Sequence, residues 1–255
     1  MGRSVLDIQL HEVAIKTARL GTLIETALKQ SLQALENYDQ TLCGMVLAAE
    51  VEIDDLAAEV ERQAFQALML QQPLGSWDLR FLSSSTSIVS DLKRTGDNAV
   101  GIVKILIRMP PQSNNLSQVE IKAPSEGDET SEKTVSEVSI MAELLSLGSE
   151  ASKVLQKTMQ AFENRDAQAA RTIWKEDDVV DESYQQLRTD LMTIMSGIHA
   201  IPALEQDAHI MQRMTYWLWI AHNLERVGDH CTNIAERIVF IAEGDRKSRS
   251  KKQRQ

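Results

Sequence analysis

Aromatic side chains are scarce: Phe, Trp and Tyr make up 4% of the 255 residues, too few for an ordinary all-β core. Proline is equally rare. Pro73, Pro110, Pro111, Pro124 and Pro202 all fall between stretches of helical periodicity, where helices break. Only two cysteines occur, Cys43 and Cys231. Each sits in an apolar helical context without metal-site spacing, so both read as small buried hydrophobes rather than a disulfide or a nucleophile. No apolar run approaches the ~20 residues that a membrane span needs. The N-terminus has no hydrophobic region of the secretory type. The chain is therefore expected to be soluble and cytoplasmic. It also lacks a glycine-rich phosphate loop, a GxSxG elbow and the Glu-x-x-His of diiron bundles.

What the chain does have is a preponderance of Ala, Leu, Glu, Gln, Met and Arg, all good helix formers. Its length allows one or two domains with a real core. The formal net charge is −10. The last ten residues, RKSRSKKQRQ, hold six basic and no acidic side chains, so the body up to Asp245 carries 21 basic against 37 acidic residues. Such a body does not suit a nucleic-acid backbone, and no nucleic-acid partner is expected. The basic tail reads as a solvated terminus, with contact to an acidic lipid surface or a partner as the alternative.

One phrase occurs twice. DLKRTGD at 91–97 and NLERVGD at 223–229 share Leu, Arg, Gly and Asp at an offset of 132. LQALENYD at 32–39 matches MQAFENRD at 159–166 at an offset of 127. At that same offset Leu20-Gly21 pairs with Leu147-Gly148, Glu50 with Asp177 and Asp54 with Asp181. A repeat of about half the chain argues for two similar domains rather than a solenoid of short units.

The periodicity predicts long helices over roughly 4–38, 41–71 and 77–108, then 131–163, 166–196 and 203–243. The expected organisation is all-α: a three-helix bundle over 1–108, a Pro/Ser/Asn-rich linker over 109–130, a second, sequence-related bundle over 131–243, and the basic tail 244–255. In the sixth helix Ile210, Met214, Trp217, Ala221, Leu224, Gly228, Cys231, Ala235 and Ile238 alternate at four and three, a core seam. Gly228 lies on it, with Gly96 at the equivalent place. Glycine costs ~1 kcal/mol inside a helix relative to alanine, so close approach of a neighbouring helix is expected there.

Acidic pairs at i,i+4 are common by chance among 37 carboxylates, so position carries the argument. Glu50/Asp54 and Asp177/Asp181 are repeat-equivalent. Glu225/Asp229 corresponds to Lys93/Asp97. Each pair shares one helix face, where two like charges cost ~0.2–0.5 kcal/mol. A cation shared between helices would remove that cost, and all-oxygen ligands suit Mg, Ca, Mn or Fe rather than a structural zinc. A solvated or salt-bridged face is the plainer reading. The halves differ: Lys93 and Lys104 stand where Glu225 and Glu236 stand, so ammonium groups can neutralise the first cluster and the second keeps the better metal site. His222 and His230 flank the Glu225 turn and read first as surface or hydrogen-bonded histidines. Gln71, Gln72, Pro73, Asp78 and Arg80 form a polar corner. Its two readings are a bonded Asp78–Arg80 cluster and an Arg80 that meets an anion or partner.

NLERVGDHCTNIAERIVF at 223–240 resembles the signature of the PhoU family of phosphate-uptake regulators. QQPLGSWDLR at 71–80, DLKRTGDNAVGI at 91–102, DDVVDESY at 177–184, AFENRD at 161–166 and EVEIDDL at 50–56 are similar to its other landmarks. The resemblance spans nearly the whole chain. It implies two tandem three-helix bundles and multinuclear binding of a divalent or trivalent metal (Fe, Mn, Mg, Ca or Zn) by Glu50, Asp54, Asp97, Asp177, Asp181, Glu225 and Asp229. Lys93, Arg94 and Arg226 accompany those motifs. It also implies a non-catalytic adaptor: a homodimer coupling the ATPase subunit of a phosphate ABC transporter to a sensor histidine kinase, reaching the membrane through these partners and repressing phosphate-starvation genes when phosphate is plentiful. The alternatives left open are an accessory of another phosphate carrier, a metal-buffering protein and a metal-dependent enzyme. Against the last, no nucleophile with a base is evident.

Overall fold

The computed structural model describes residues 2–70, 73–110, 121–125, 128–198 and 208–244. Six long helices make up almost all of it: α1 (Gly2–Asn37), α2 (Gln40–Leu70), α3 (Ser76–Arg108), α4 (Glu137–Asn164), α5 (Ala167–Ile198) and α6 (Ala208–Glu243). The expected tail 245–255, residues 111–120 of the expected linker and the Gln71-Gln72 part of the polar corner lie outside the described residues.

The repeated ENYD and ENRD phrases are helix-to-helix turns. Tyr38 and Arg165 adopt left-handed φ values of 52° and 54°, which stop α1 and α4. The next residue starts the following helix. Asp39 Oδ1 accepts from the backbone N–H groups of Thr41 and Leu42 at 2.8 and 3.2 Å, and Asp166 Oδ1 from Gln168 and Ala169 at 2.9 Å each. At the start of α3, Asp78 accepts from the Gly75 N–H at 3.0 Å.

The fourth helix begins later than the periodicity predicts. Asp128–Val135 instead forms strand β2, antiparallel to β1 (Ile121–Ser125), within and just beyond the expected linker. Ser136 then caps α4, its hydroxyl accepting from Ser139 N–H at 3.2 Å. β-branched Thr134 and Val135 favour the strand, and the cap fixes where the helix can start.

Within each half the three helices pack on one another, so the chain is two tandem three-helix bundles. The halves are joined by α3 against α6 and α1 against α4. Every member of the predicted α6 seam is buried. The α1–α4 contact is two-fold about the repeat: a side chain at Gly21 would meet Met159, and one at Gly148 would meet Leu32. These four positions are two repeat-equivalent pairs, and they show α1 and α4 running antiparallel. A pseudo-two-fold axis thus relates the bundles. Cys43 and Cys231 are free and buried.

Candidate functional site

In the first half, α2 and α3 bring the predicted carboxylates together with lysines. Lys93 Nζ donates to Asp54 Oδ1. Lys104 Nζ lies 3.0 and 3.2 Å from the two Glu50 carboxylate oxygens. The bond to Asp54, with the charges of Asp54, Asp97 and Glu50, holds the Lys93 ammonium above its ordinary pKa. Asp97 and Arg94 are exposed beside this pair. The repeat-equivalent carboxylates here are closed by the chain's own cations, and the residues present do not fit a metal.

The second half has no such lysines. Asp177 on α5 is fully buried, lying against α6 where Gly228 has no side chain: a Cβ there would stand 2.4 Å from Asp177 Oδ1. The close approach expected at Gly228 is present. Gly96 meets only Ile53 and Ile24 side-chain atoms at 3.4–3.6 Å, an ordinary contact. Burial pushes the Glu225 carboxyl up, and the charges of Asp229 and Asp181 push the same way, against His222 and Arg226. His222 Nδ1 is 3.2 Å from Glu225 Oε2. Glu225, Asp229 and Glu236 line a cleft of about 440 Å³ with Trp174, His230 and Arg226 at its walls.

The oxygen donors on α5 and α6 are the kind a hard or borderline divalent cation takes, and the unfavourable charge at Glu225 is what such an ion would relieve. Among the described residues, no three His, Cys, Asp or Glu side chains are gathered closely enough to hold one ion.

Two predicted residues do something else. Asp78 is buried in the first turn of α3, where it accepts from the N–H of the capping residue Gly75. Arg80 crosses to the other bundle, its Nε donating to Ile241 O at 3.2 Å. His230 is hydrogen-bonded, one of the two readings its sequence position allowed, and its partners Asp91 and Asn233 are residues the sequence reading did not select. His230 is buried, with Nδ1 3.1 Å from Asp91 Oδ1, and Asn233 donates to the same oxygen at 3.3 Å. A carboxylate only accepts, so Nδ1 carries the proton. Asp91 opens the repeated phrase, but nothing local to it indicates a partner 139 positions away.

Two tandem, sequence-related three-helix bundles define a class of duplicated helical proteins. The PhoU domain model matches residues 17–106 and 144–238, most of both halves, and the chain belongs to the PhoU family. A phosphate-specific transport system accessory protein PhoU homolog of Caulobacter vibrioides is 30% identical over 240 residues, covering 93% of this chain and 89% of that one. The corresponding protein of Clostridium acetobutylicum is 25% identical over 96% of this chain and 97% of its own. Among solved structures, PhoU from Pseudomonas aeruginosa superposes with a TM-score of 0.74 at 25% identity, covering 94% of this chain and 99% of that one. The phosphate transport system regulatory protein PhoU from Streptococcus pneumoniae gives 0.74 at 24%, which shows the shared fold.

Proposed function

We propose that the chain is a regulatory accessory of phosphate transport, acting in the cytoplasm as a non-catalytic adaptor. The observation that supports this most is the family match across both halves, alongside relatives named as phosphate-specific transport accessory proteins. In this reading it contacts the ATPase subunit of a phosphate ABC transporter and a sensor histidine kinase, as a homodimer, and represses phosphate-starvation genes when phosphate is plentiful. No described helix is long and apolar enough to cross a membrane, so membrane contact would run through these partners.

The α5–α6 carboxylates Asp177, Asp181, Glu225 and Asp229 would hold a divalent cation once their side chains turn toward a shared ion, since they are not gathered around one point as they stand. Bound there, the ion would neutralise the cluster and clamp α5 to α6. Lys93 and Lys104 do this for α2 and α3 by themselves. A deletion strain tests the regulatory reading. Phosphate-starvation genes should be expressed in rich medium, and the intact gene should restore repression. Genes that stay repressed without the protein would overturn it.

A further inference from the structure

We propose that the end of the molecule where α1, α3, α4 and α6 meet holds a binding pocket for a small amphipathic anion. A cavity of about 430 Å³ opens there, within the range of ligand sites. Its walls are apolar: Ala14, Ala18, Trp77, Phe81, Phe162 and Ile238. Trp77 and Phe81 form a stacked slab, with ring centroids 5.1 Å apart and an interplanar angle of 6°. The Arg165 guanidinium lies 4.8 Å from the centre of the Trp77 ring. His11 and Glu163 complete the rim.

The duplication makes this cavity informative. The pseudo-two-fold axis gives every lining residue a counterpart at the other end of the molecule, and several of those counterparts are larger or differently bonded. Phe81 corresponds to Arg213, Arg165 to Tyr38 and Ala242 to Pro110. Arg213 is fully buried, its Nη1 donating to Pro110 O at 2.9 Å and its Nη2 to Tyr38 OH at 3.2 Å, with the guanidinium 5.1 Å from the Trp217 ring centre. Ala14 and Ala18 correspond to the larger Met141 and Leu145, both packed against the core. At one end an arginine and two long side chains occupy the equivalent positions. The other keeps two alanines and an aromatic slab around open space. Interiors pack densely, and an apolar space of this size is normally closed by side chains or by a ligand.

The rim selects the charge. Arg165 lies on the slab, and Arg80 sits beside the mouth, near Gly244 and bonded to Ile241 O. The two guanidinium groups oppose one lining carboxylate, Glu163, in a chain whose body is strongly acidic. The occupant is therefore a ring-bearing or acyl body with a single carboxylate- or sulfonate-type end.

The test uses the full chain and the aromatic sulfonate 1-anilinonaphthalene-8-sulfonate, followed by fluorescence and calorimetry. One equivalent should bind. Decanoate should displace it and a decyltrimethylammonium ion should not. Ala14→Met with Ala18→Leu copies the opposite end, and should weaken binding by about tenfold or more without lowering the melting temperature. Arg165→Gln should weaken the sulfonate by about two- to fivefold and leave the neutral probe N-phenylnaphthylamine unaffected. If the double variant does not fold, Ala18→Leu alone is read in the same titration. Multiple weak equivalents untouched by the filling variants, or equal displacement by the cation, would overturn the proposal.

Discussion

Gly228 and Gly96 occupy equivalent places in the repeat, and replacing each by alanine should have opposite effects. In a helix interior alanine is favoured over glycine by about 1 kcal/mol. At Gly96 the added Cβ would meet its nearest neighbours at 3.4–3.6 Å, so Gly96→Ala should keep most of that gain. At Gly228 the Cβ would stand 2.4 Å from Asp177 Oδ1 and 3.4 Å from Val180 Cγ1. Asp177 and Val180 are both fully buried, so neither can swing into solvent. Overpacking of this kind costs about 1–3 kcal/mol, leaving Gly228→Ala destabilised by about 0–2 after the helical gain. The two variants should thus differ by about 1–3 kcal/mol. In a chain of this size each kcal/mol moves the melting temperature by about 2–4 °C. Urea unfolding followed by far-ultraviolet circular dichroism, in chelator, measures the difference. A cycle with Asp177→Ala isolates the cause: without the carboxylate, Gly228→Ala should become neutral or stabilising. A Gly228→Ala variant as stable as Gly96→Ala, or a cost that survives Asp177→Ala, would refute the close-approach argument.

The other predictions follow from the same faces. Lys93→Glu with Lys104→Glu turns the α2–α3 face into a cluster like the one on α5–α6; it should be less stable in chelator and bind one more Mn²⁺ equivalent than the parent by calorimetry. Glu225 has a folded-state pKa above its ordinary 4.5. The unfolded chain therefore loses this proton first, and stability falls as pH rises from about 4.5 through the raised value. Glu225→Gln should match the parent below that window and be more stable above it in metal-free buffer, as shown by unfolding at several pH values. His230→Ala leaves the mostly buried Asp91 carboxylate with less than its full set of partners and should cost about 1–3 kcal/mol. Adding Asp91→Asn should return part of that loss.

What could be read in the sequence was what a single helix records. The α6 seam is a period of four and three along one segment, and each of its members is buried. Gly228 was legible for the same reason, since an interior glycine on a packing seam has few other uses. The lysines at 93 and 104 were legible because the repeat set them against Glu225 and Glu236. Contacts that depend on how helices cross were not legible. Asp91 meets His230 only because α3 and α6 run antiparallel across the pseudo-two-fold axis, and no local pattern states that crossing. Asp78 and Arg80 are close in sequence and read as one polar corner. A cap bond draws the first to Gly75, and the crossing of α3 with α6 draws the second to Ile241 O.

An exact duplication would have given the molecule two of everything: two acidic faces and two end cavities. Neither pair stayed equal. The acidic face closed by the chain's own lysines belongs to α2–α3, and the open one to α5–α6. Arg213 bonds Tyr38 and Pro110 at one end, and the cavity at the other end lies beside Trp77 and Arg165. In each pair one member is met from within the chain: Lys93 and Lys104 pair with Asp54 and Glu50, and Arg213 bonds Pro110 and Tyr38. The other member keeps carboxylates beside a cleft in one case, and apolar walls around a cavity in the other. Stability alone would favour closing both members, by substitutions the other half of the same chain already contains. That the open members persist beside those ready solutions is the physical argument that each binds something, and that a closing substitution should raise stability while removing a binding equivalent.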